Sequence, residues 1–175
     1  MVRKISVFIL VILIIFNLSA CSQPEKNIDD NTKDVKEIKE EKDITLYFAD
    51  DKLMNLVAEK IKVQIDQEPL EEVILNNLKQ GPKNEKLRRT IAPHIQILGV
   101  DVVDSIAQVN ISSSGLRGGS TEEAFLIASI VKSLTELDYI DKVQFLVDGK
   151  KVETLMGHIY VKEPFTRESV QNIIS

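Results

Sequence analysis

"STEEAFLIASIVKSLTEL", residues 120–137, decides how this chain folds. Past its first turn, the polar residues Ser129, Lys132, Ser133 and Glu136 form one narrow stripe. Ala124, Phe125, Ile127, Ala128, Val131 and Leu134 make the rest apolar. A helix this apolar must be buried nearly all round, so the stretch predicts a core helix laid on a sheet. Ser120 or Thr121 supplies the N-cap, and Glu123 stands three residues after Ser120, the spacing of a capping box.

The flanking segments supply the sheet. Downstream, residues 142–147 (KVQFLV) alternate as a strand, Asp148-Gly149 is a hairpin signal, and residues 151–155 (KVETL) return. Upstream, residues 95–103 and 106–111 read as strands joined by a tight turn at Asp104-Ser105. In the second of these, Ala107, Val109 and Ile111 alternate with Gln108 and Asn110, giving one buried and one wet face. Residues 112–119 (SSSGLRGG) form a small, flexible connection.

Earlier still, residues 44–49 and 55–65 are strands, and Pro69 opens a helix with Glu71 and Glu72 in its first turn. Leu70, Val73, Ile74 and Leu78 repeat at helical spacing until Gly81-Pro82 ends the helix. Residues 83–92 suggest one helical turn, and residues 166–174 a small terminal helix capped by Thr166. The expected class is α+β: two helices packed on a mixed or antiparallel sheet, in the order β-β-α-β-β-α-β-β.

The N-terminal residues have a different character. Residues 5–18 are apolar except for Ser6 and Asn17, and Arg3 and Lys4 precede them. As a helix they span roughly 21 Å, short of the ~30 Å bilayer core, which fits a signal peptide over residues 1–20. Leu18-Ser19-Ala20-Cys21 follows, and it resembles the lipobox of bacterial lipoproteins. That resemblance implies a diacylglycerol on the thiol of Cys21, the single cysteine of the chain, and cleavage just before it. Lipid chains gain about 0.8 kcal/mol per buried CH₂, so the mature protein would be anchored to the membrane on its extracytoplasmic side without crossing it.

Residues 22–43 hold 13 charged and three aliphatic side chains. They bury too little to fold alone, so residues 21–43 read as a charged tether with a reach of roughly 25 Å. Residues 44–175 then form a single domain.

Charge and residue types exclude several functions. The net charge is −5, and without Arg3 and Lys4 there are 20 lysines and arginines against 27 acids. No basic face is available for nucleic acid. With one cysteine and two histidines, no metal-ligand spacing occurs and no cofactor is expected. Ser112, Ser113, Ser114, Asp148 and His158 are the residue types of a hydrolase triad, but no G-x-S-x-G elbow surrounds the serines. His94 follows Pro93 at a turn and reads as structural, and Glu122-Glu123 are explained by capping. The glycines at 115, 118 and 119 precede a helix N-terminus, where an anion can sit, yet the spacing matches neither phosphate-loop pattern. No catalytic residue is assigned.

Four stretches carry a family resemblance: "ITLYFADD", "EPLEEVILNNLKQGP", "IAPHIQILGVDVVDSIAQVNIS" and "LTELDYIDKVQFLVDGKKVETLMGHIYVKEP". In this order, over nearly all of 44–165, they are similar to the GerMN domain, the sporulation and spore germination domain of GerM-like lipoproteins. The resemblance implies a domain related to ring-building motifs and an envelope lipoprotein acting in sporulation or germination. GerM-like proteins often carry two such domains in tandem; the pattern here covers one. Two functions follow. The first is a lipid-tethered module docking on another envelope protein or on copies of itself. The alternative is a binder of cell-wall polymer or a small ligand. The absence of Trp and the presence of only Tyr47, Tyr139 and Tyr160 weigh against glycan stacking.

Overall fold

The apolar residues at 44, 46 and 48 alternate down the first strand, and all three are buried. In the computed structural model, which describes residues 40–174, this strand is β1 (Glu40–Ala49). It pairs antiparallel with β2 (Leu56–Ile65) in an unbroken register from Glu40 opposite Ile65 to Ala49 opposite Leu56. Strand β1 thus begins four residues earlier than the sequence reading placed it. Glu40, Glu41, Lys42 and Asp43 are extended because β2 is long enough to pair with them, and Lys62 holds Glu41 at 3.0 Å. Cys21, the signal sequence and the rest of the tether lie outside the described residues.

Helix α1 (Leu70–Gln80) buries Leu70, Val73, Ile74, Leu75 and Leu78 and ends at Gly81 with φ of 90°. Residues 83–92 form no helix but hold a single turn, closed by the Leu87 N–H on the Asn84 carbonyl at 3.0 Å, and Arg88 exchanges two backbone hydrogen bonds with Ala49, extending the outer edge of β1 by one bridge. Strands β3 (Ile97–Val103) and β4 (Ile106–Ile111) form a hairpin whose turn residues Asp104 and Ser105 have φ of 50° and 60°, the backbone that two-residue hairpins favour.

Helix α2 (Ser120–Leu134) then crosses over, and β5 (Lys142–Val147) lies parallel to β4. A helical crossover is the usual link between parallel neighbours. The described residues therefore form one two-stranded sheet, β1-β2, and one three-stranded mixed sheet, β3-β4-β5. The expected α+β class with two helices holds. Helix α2 is the core helix: Leu126, Ile127, Ala128, Ile130, Val131 and Leu134 have no exposure at all. Each of these leucine, isoleucine and valine side chains contributes about 1.5–3 kcal/mol by leaving water.

The last expected strand is absent. After the Asp148-Gly149 turn, Val147 and Lys150 exchange hydrogen bonds once and the ladder stops. The N–H groups of Leu155, Met156 and His158 go to the Glu123 side chain instead, and residues 151–155 make only one isolated bridge, Thr154 with Tyr160, where the Val161 N–H reaches the Glu153 carbonyl at 2.8 Å. A single bridge, Val143 with Phe165, ties the C-terminal segment to β5, and the Phe145 and Phe165 rings meet edge to face at 6.0 Å. The terminal helix is one 3₁₀ turn, Ser169–Asn172. Thr166 does brace it, its Oγ1 accepting the Ser169 N–H at 3.3 Å.

Polar residues lock β1 and the C-terminal segment around Arg167 onto α2. The buried Ser133 hydroxyl accepts the Tyr47 N–H at 3.0 Å. The Tyr47 hydroxyl donates to Glu136 at 2.8 Å. Arg167 pairs with Glu136, donates to the Lys132 carbonyl at 3.0 Å, and lies over the Tyr47 ring. Helix α2 ends at Leu134 rather than near 137 because Thr135 takes the cap position and Arg167 satisfies a last-turn carbonyl.

Candidate functional site

The β1–β2 connection is short and held from within. Asp50 accepts the Met54 N–H at 2.8 Å through one carboxylate oxygen and the Asn55 side-chain amide at 3.1 Å through the other. The bond from Met54 comes first among the causes that hold the Asp50 carboxyl below its usual range. Within this loop Leu53 adopts φ of 55°, a region that costs a branched L-residue about 1–2 kcal/mol. The loop nevertheless presents Leu53 at 48% and Met54 at 64% exposure. Strain at an exposed leucine is the kind of cost that accompanies functional surfaces.

Leu53 and Met54 form one rim of a groove of about 800 Å³. Ala124 and Phe125 of α2 line it, and the opposite rim carries Ile159 and Tyr160, the latter 58% exposed. Ile173 and Ile174 complete the lining. Four separate stretches of chain thus converge on one open, mainly apolar surface.

The wall that carries Tyr160 is fixed from below. Glu123 is fully buried; Oε1 accepts the N–H groups of Leu155 and Met156 at 2.9 and 2.8 Å, and Oε2 accepts that of His158 at 2.9 Å. Gln144, 2% exposed on β5, donates Nε2 to the Val161 carbonyl at 3.0 Å just beyond the groove. The capping role expected of Glu123 falls to its neighbour: Glu122 accepts the N–H of Gly119, the residue that caps α2. The reading of Glu123 as a cap of Ser120 is corrected accordingly, because the helix begins one residue earlier than that box requires.

The candidate hydrolase residues do not form a relay. Asp148 accepts the Ser113 backbone N–H at 3.2 Å, and the Ser112 hydroxyl accepts the Ser114 N–H at 3.2 Å. His158 Nε2 lies 3.3 Å from the Gly118 carbonyl, and His94 Nε2 lies 3.4 Å from that of Arg117. Both histidines therefore clamp successive carbonyls of the 112–119 loop. Gly115 passes so close to the His94 carbonyl that an added Cβ would meet it at 2.7 Å. At the start of α2 the Glu122 carboxylate occupies the position an anion would take. No group of three or more His, Cys, Asp or Glu suited to a metal occurs among the described residues. No described helix is long and apolar enough to cross a membrane.

The family model for sporulation and spore germination matches residues 45–153, from β1 through the turn after β5. The chain belongs to this family. Among solved structures, a Clostridium perfringens protein named "Putative Lipoprotein" shares 28% identity, with a TM-score of 0.54 over 75% of this chain and 91% of that one. The first GerMN domain of the Bacillus subtilis sporulation protein GerM shares 19% identity, with a TM-score of 0.63 over 73% of this chain and 98% of that one. The tandem GerMN domains of GerM give 18% identity and a TM-score of 0.64 over 74% of this chain, but only 47% of the pair is covered. No curated protein matches the chain. The described residues of this family member therefore have the fold of one GerMN domain. Its groove, formed by loops 53–55 and 158–160, lies at the end of the fold where β1 hands over to β2.

Proposed function

We propose that this family member is a lipid-anchored envelope protein whose domain docks an apolar segment of another envelope protein, in sporulation or spore germination. The rigid Asp50-held loop that presents Leu53 and Met54 carries the reading. Pre-organised anchors bind without the cost of ordering them.

The groove sits beside Ala49 and Leu56 at the tip of the β1–β2 hairpin. With Cys21 lipidated, the tether would keep the domain within reach of the anchoring membrane, where other envelope proteins stand. The similarity to a Clostridium perfringens protein named as a lipoprotein supports the anchor.

The test places a photo-reactive residue at Met54 of the full chain, with Val103, exposed elsewhere, as the control. Cells of the native host are cross-linked through growth and sporulation. The reading expects a single protein adduct from position 54 that is absent from 103 and lost when Leu53→Asp is added. Wall material in place of protein would move the function to polymer binding. Adducts between two copies would make the groove a self-association surface.

A further inference from the structure

The sheet edges of this fold are treated unequally. The outer edge of β1 is taken by the Ser133 hydroxyl at Tyr47 and by Arg88 at Ala49. The outer edge of β3 is broken by a bulge between Ile97 and Gly99, and the Glu72 carboxylate accepts the Val100 N–H at 3.0 Å. On β5, Phe165 covers Val143, Lys150 covers Val147, and the Gln144 side chain bonds the Phe145 carbonyl. Strand β2 has no such cover among the described residues.

Register identifies the free groups. Tyr47 and Ala49 send their N–H groups away from β2, so their partners Ala58 and Leu56 point their own backbone groups away from β1. In steps of two along the strand, Lys60, Lys62 and Gln64 do the same. These groups form a straight row with no described partner. Beside it runs a groove of about 730 Å³, between Lys62–Gln64 of β2 and Val73, Asn76 and Lys79 of α1, with the Glu68 carboxylate on its wall accepting the Asn76 side-chain amide at 2.8 Å. A strand edge flanked by a helix is the arrangement in which an extended peptide adds as a further strand.

We infer that the outer edge of β2 receives an extended acidic segment of a partner protein as an added strand, with its apolar side chains in the β2–α1 groove. Main-chain bonds to Ala58, Lys60, Lys62 and Gln64 supply the pairing. Val63 and Val73 floor the groove for small apolar side chains. Lys60 and Lys62 stand on the opposite, exposed face, where carboxylates of the added strand meet them. Lys62 pairs with Glu41, more than half exposed on both sides, and lies opposite Asp43 of β1; exposed pairs of this kind are worth little. Lysine also argues against a second copy of the chain as occupant. Every antiparallel self-pairing that engages at least four residues of the free row sets Lys60 or Lys62 opposite or diagonal to its symmetry mate, and like charges there repel. This site stands apart from the hairpin-tip groove, and neither reading depends on the other.

The test uses the full chain in detergent micelles and an acetylated, amidated peptide of alternating valine and aspartate, about eight residues long. Amide hydrogen exchange is followed residue by residue. The peptide should slow exchange at Ala58, Lys60, Lys62 and Gln64 while leaving Val57, Glu59, Ile61 and Val63, already bonded to β1, unchanged. A peptide of alternating valine and lysine should bind about tenfold more weakly. The double variant Lys60→Glu, Lys62→Glu should reverse that preference. Four results would overturn the inference. They are no alternating protection, equal binding of the two peptides, protection in the free protein that grows with its concentration, and protection already complete at every concentration. The third would name a second copy as the occupant, and the fourth a segment of the same chain.

Discussion

Glu123 and His158 are joined by a carboxylate-to-backbone hydrogen bond of 2.9 Å across 35 residues of sequence. With Leu155 and Met156 it makes three N–H groups held by one buried side chain. Glu123→Gln keeps the size but replaces one acceptor oxygen with an NH₂ donor. That group would then face either one N–H or two. The expected loss is about 2–4 kcal/mol in chemical denaturation. Exchange of the Leu155, Met156 and His158 amides should accelerate before global unfolding. An unchanged midpoint would show that the loop is held by other means.

Ser133→Ala should cost about 1–3 kcal/mol although it removes a single oxygen. The Tyr47 N–H loses its acceptor within a packed interface, and no neighbouring strand can replace it. Urea titration gives the magnitude. Tyr47 amide exchange should rise more than that of Phe48, which faces β2.

Two glycines with left-handed backbone separate conformational cost from collision. Gly115 has φ of 80° and would set a Cβ 2.7 Å from the His94 carbonyl, while Gly149 has φ of 76° with nothing within 4 Å. Gly149→Ala should cost about 1 kcal/mol. Gly115→Ala should cost at least about 1 kcal/mol more, because backbone must move to admit the methyl group. Thermal denaturation of the two variants side by side decides it.

Acid should weaken the fastening of β1 and Arg167 to α2. Burial raises the Glu136 carboxyl, but hydrogen bonds from Tyr47 and Arg167 outweigh it and hold the group below its usual range. A depressed carboxyl stabilises the fold fully above its unfolded value, near 4.3, and that contribution disappears as pH falls through the folded value. Both partners of the Arg167–Glu136 pair are about one-third exposed, so the effect is modest. Glu136→Gln should be less stable than the parent by about 0.5–1 kcal/mol at pH 7. The two should converge as pH falls through and below the depressed Glu136 value. A constant difference would assign the loss to packing.

The sequence carried the fold well where periodicity and burial coincide. The alternation at Ala107, Val109 and Ile111 and the apolar run of α2 reappear as fully buried faces. It failed where a side chain takes the place of a strand. Residues 151–155 have a strand's composition, but Glu123 captures the backbone that follows, and no local pattern reveals an acceptor 32 residues away. Gln144 occupies a polar position in an alternating strand and is nonetheless buried, because the Val161 carbonyl waits beneath it. The parallel pairing of β4 with β5 likewise depends on where α2 crosses, which composition does not encode. The groove was illegible for the same reason: its rims lie more than 100 residues apart, at Met54 and Tyr160. Leu53 and Met54 gave only one local sign, two large apolar residues inside a turn.

The grip of Ser133, Glu136 and Arg167 on Tyr47 sets a schedule for the chain. Tyr47 is among the first residues of the domain to emerge from a ribosome or a translocation channel, yet its partners follow 86, 89 and 120 residues later. The β1–β2 hairpin can be made early, but it cannot be sealed until Arg167 is out. Contacts this distant close slowly, so the domain stays threadable for almost its whole length. It becomes a finished object only once its last few residues arrive.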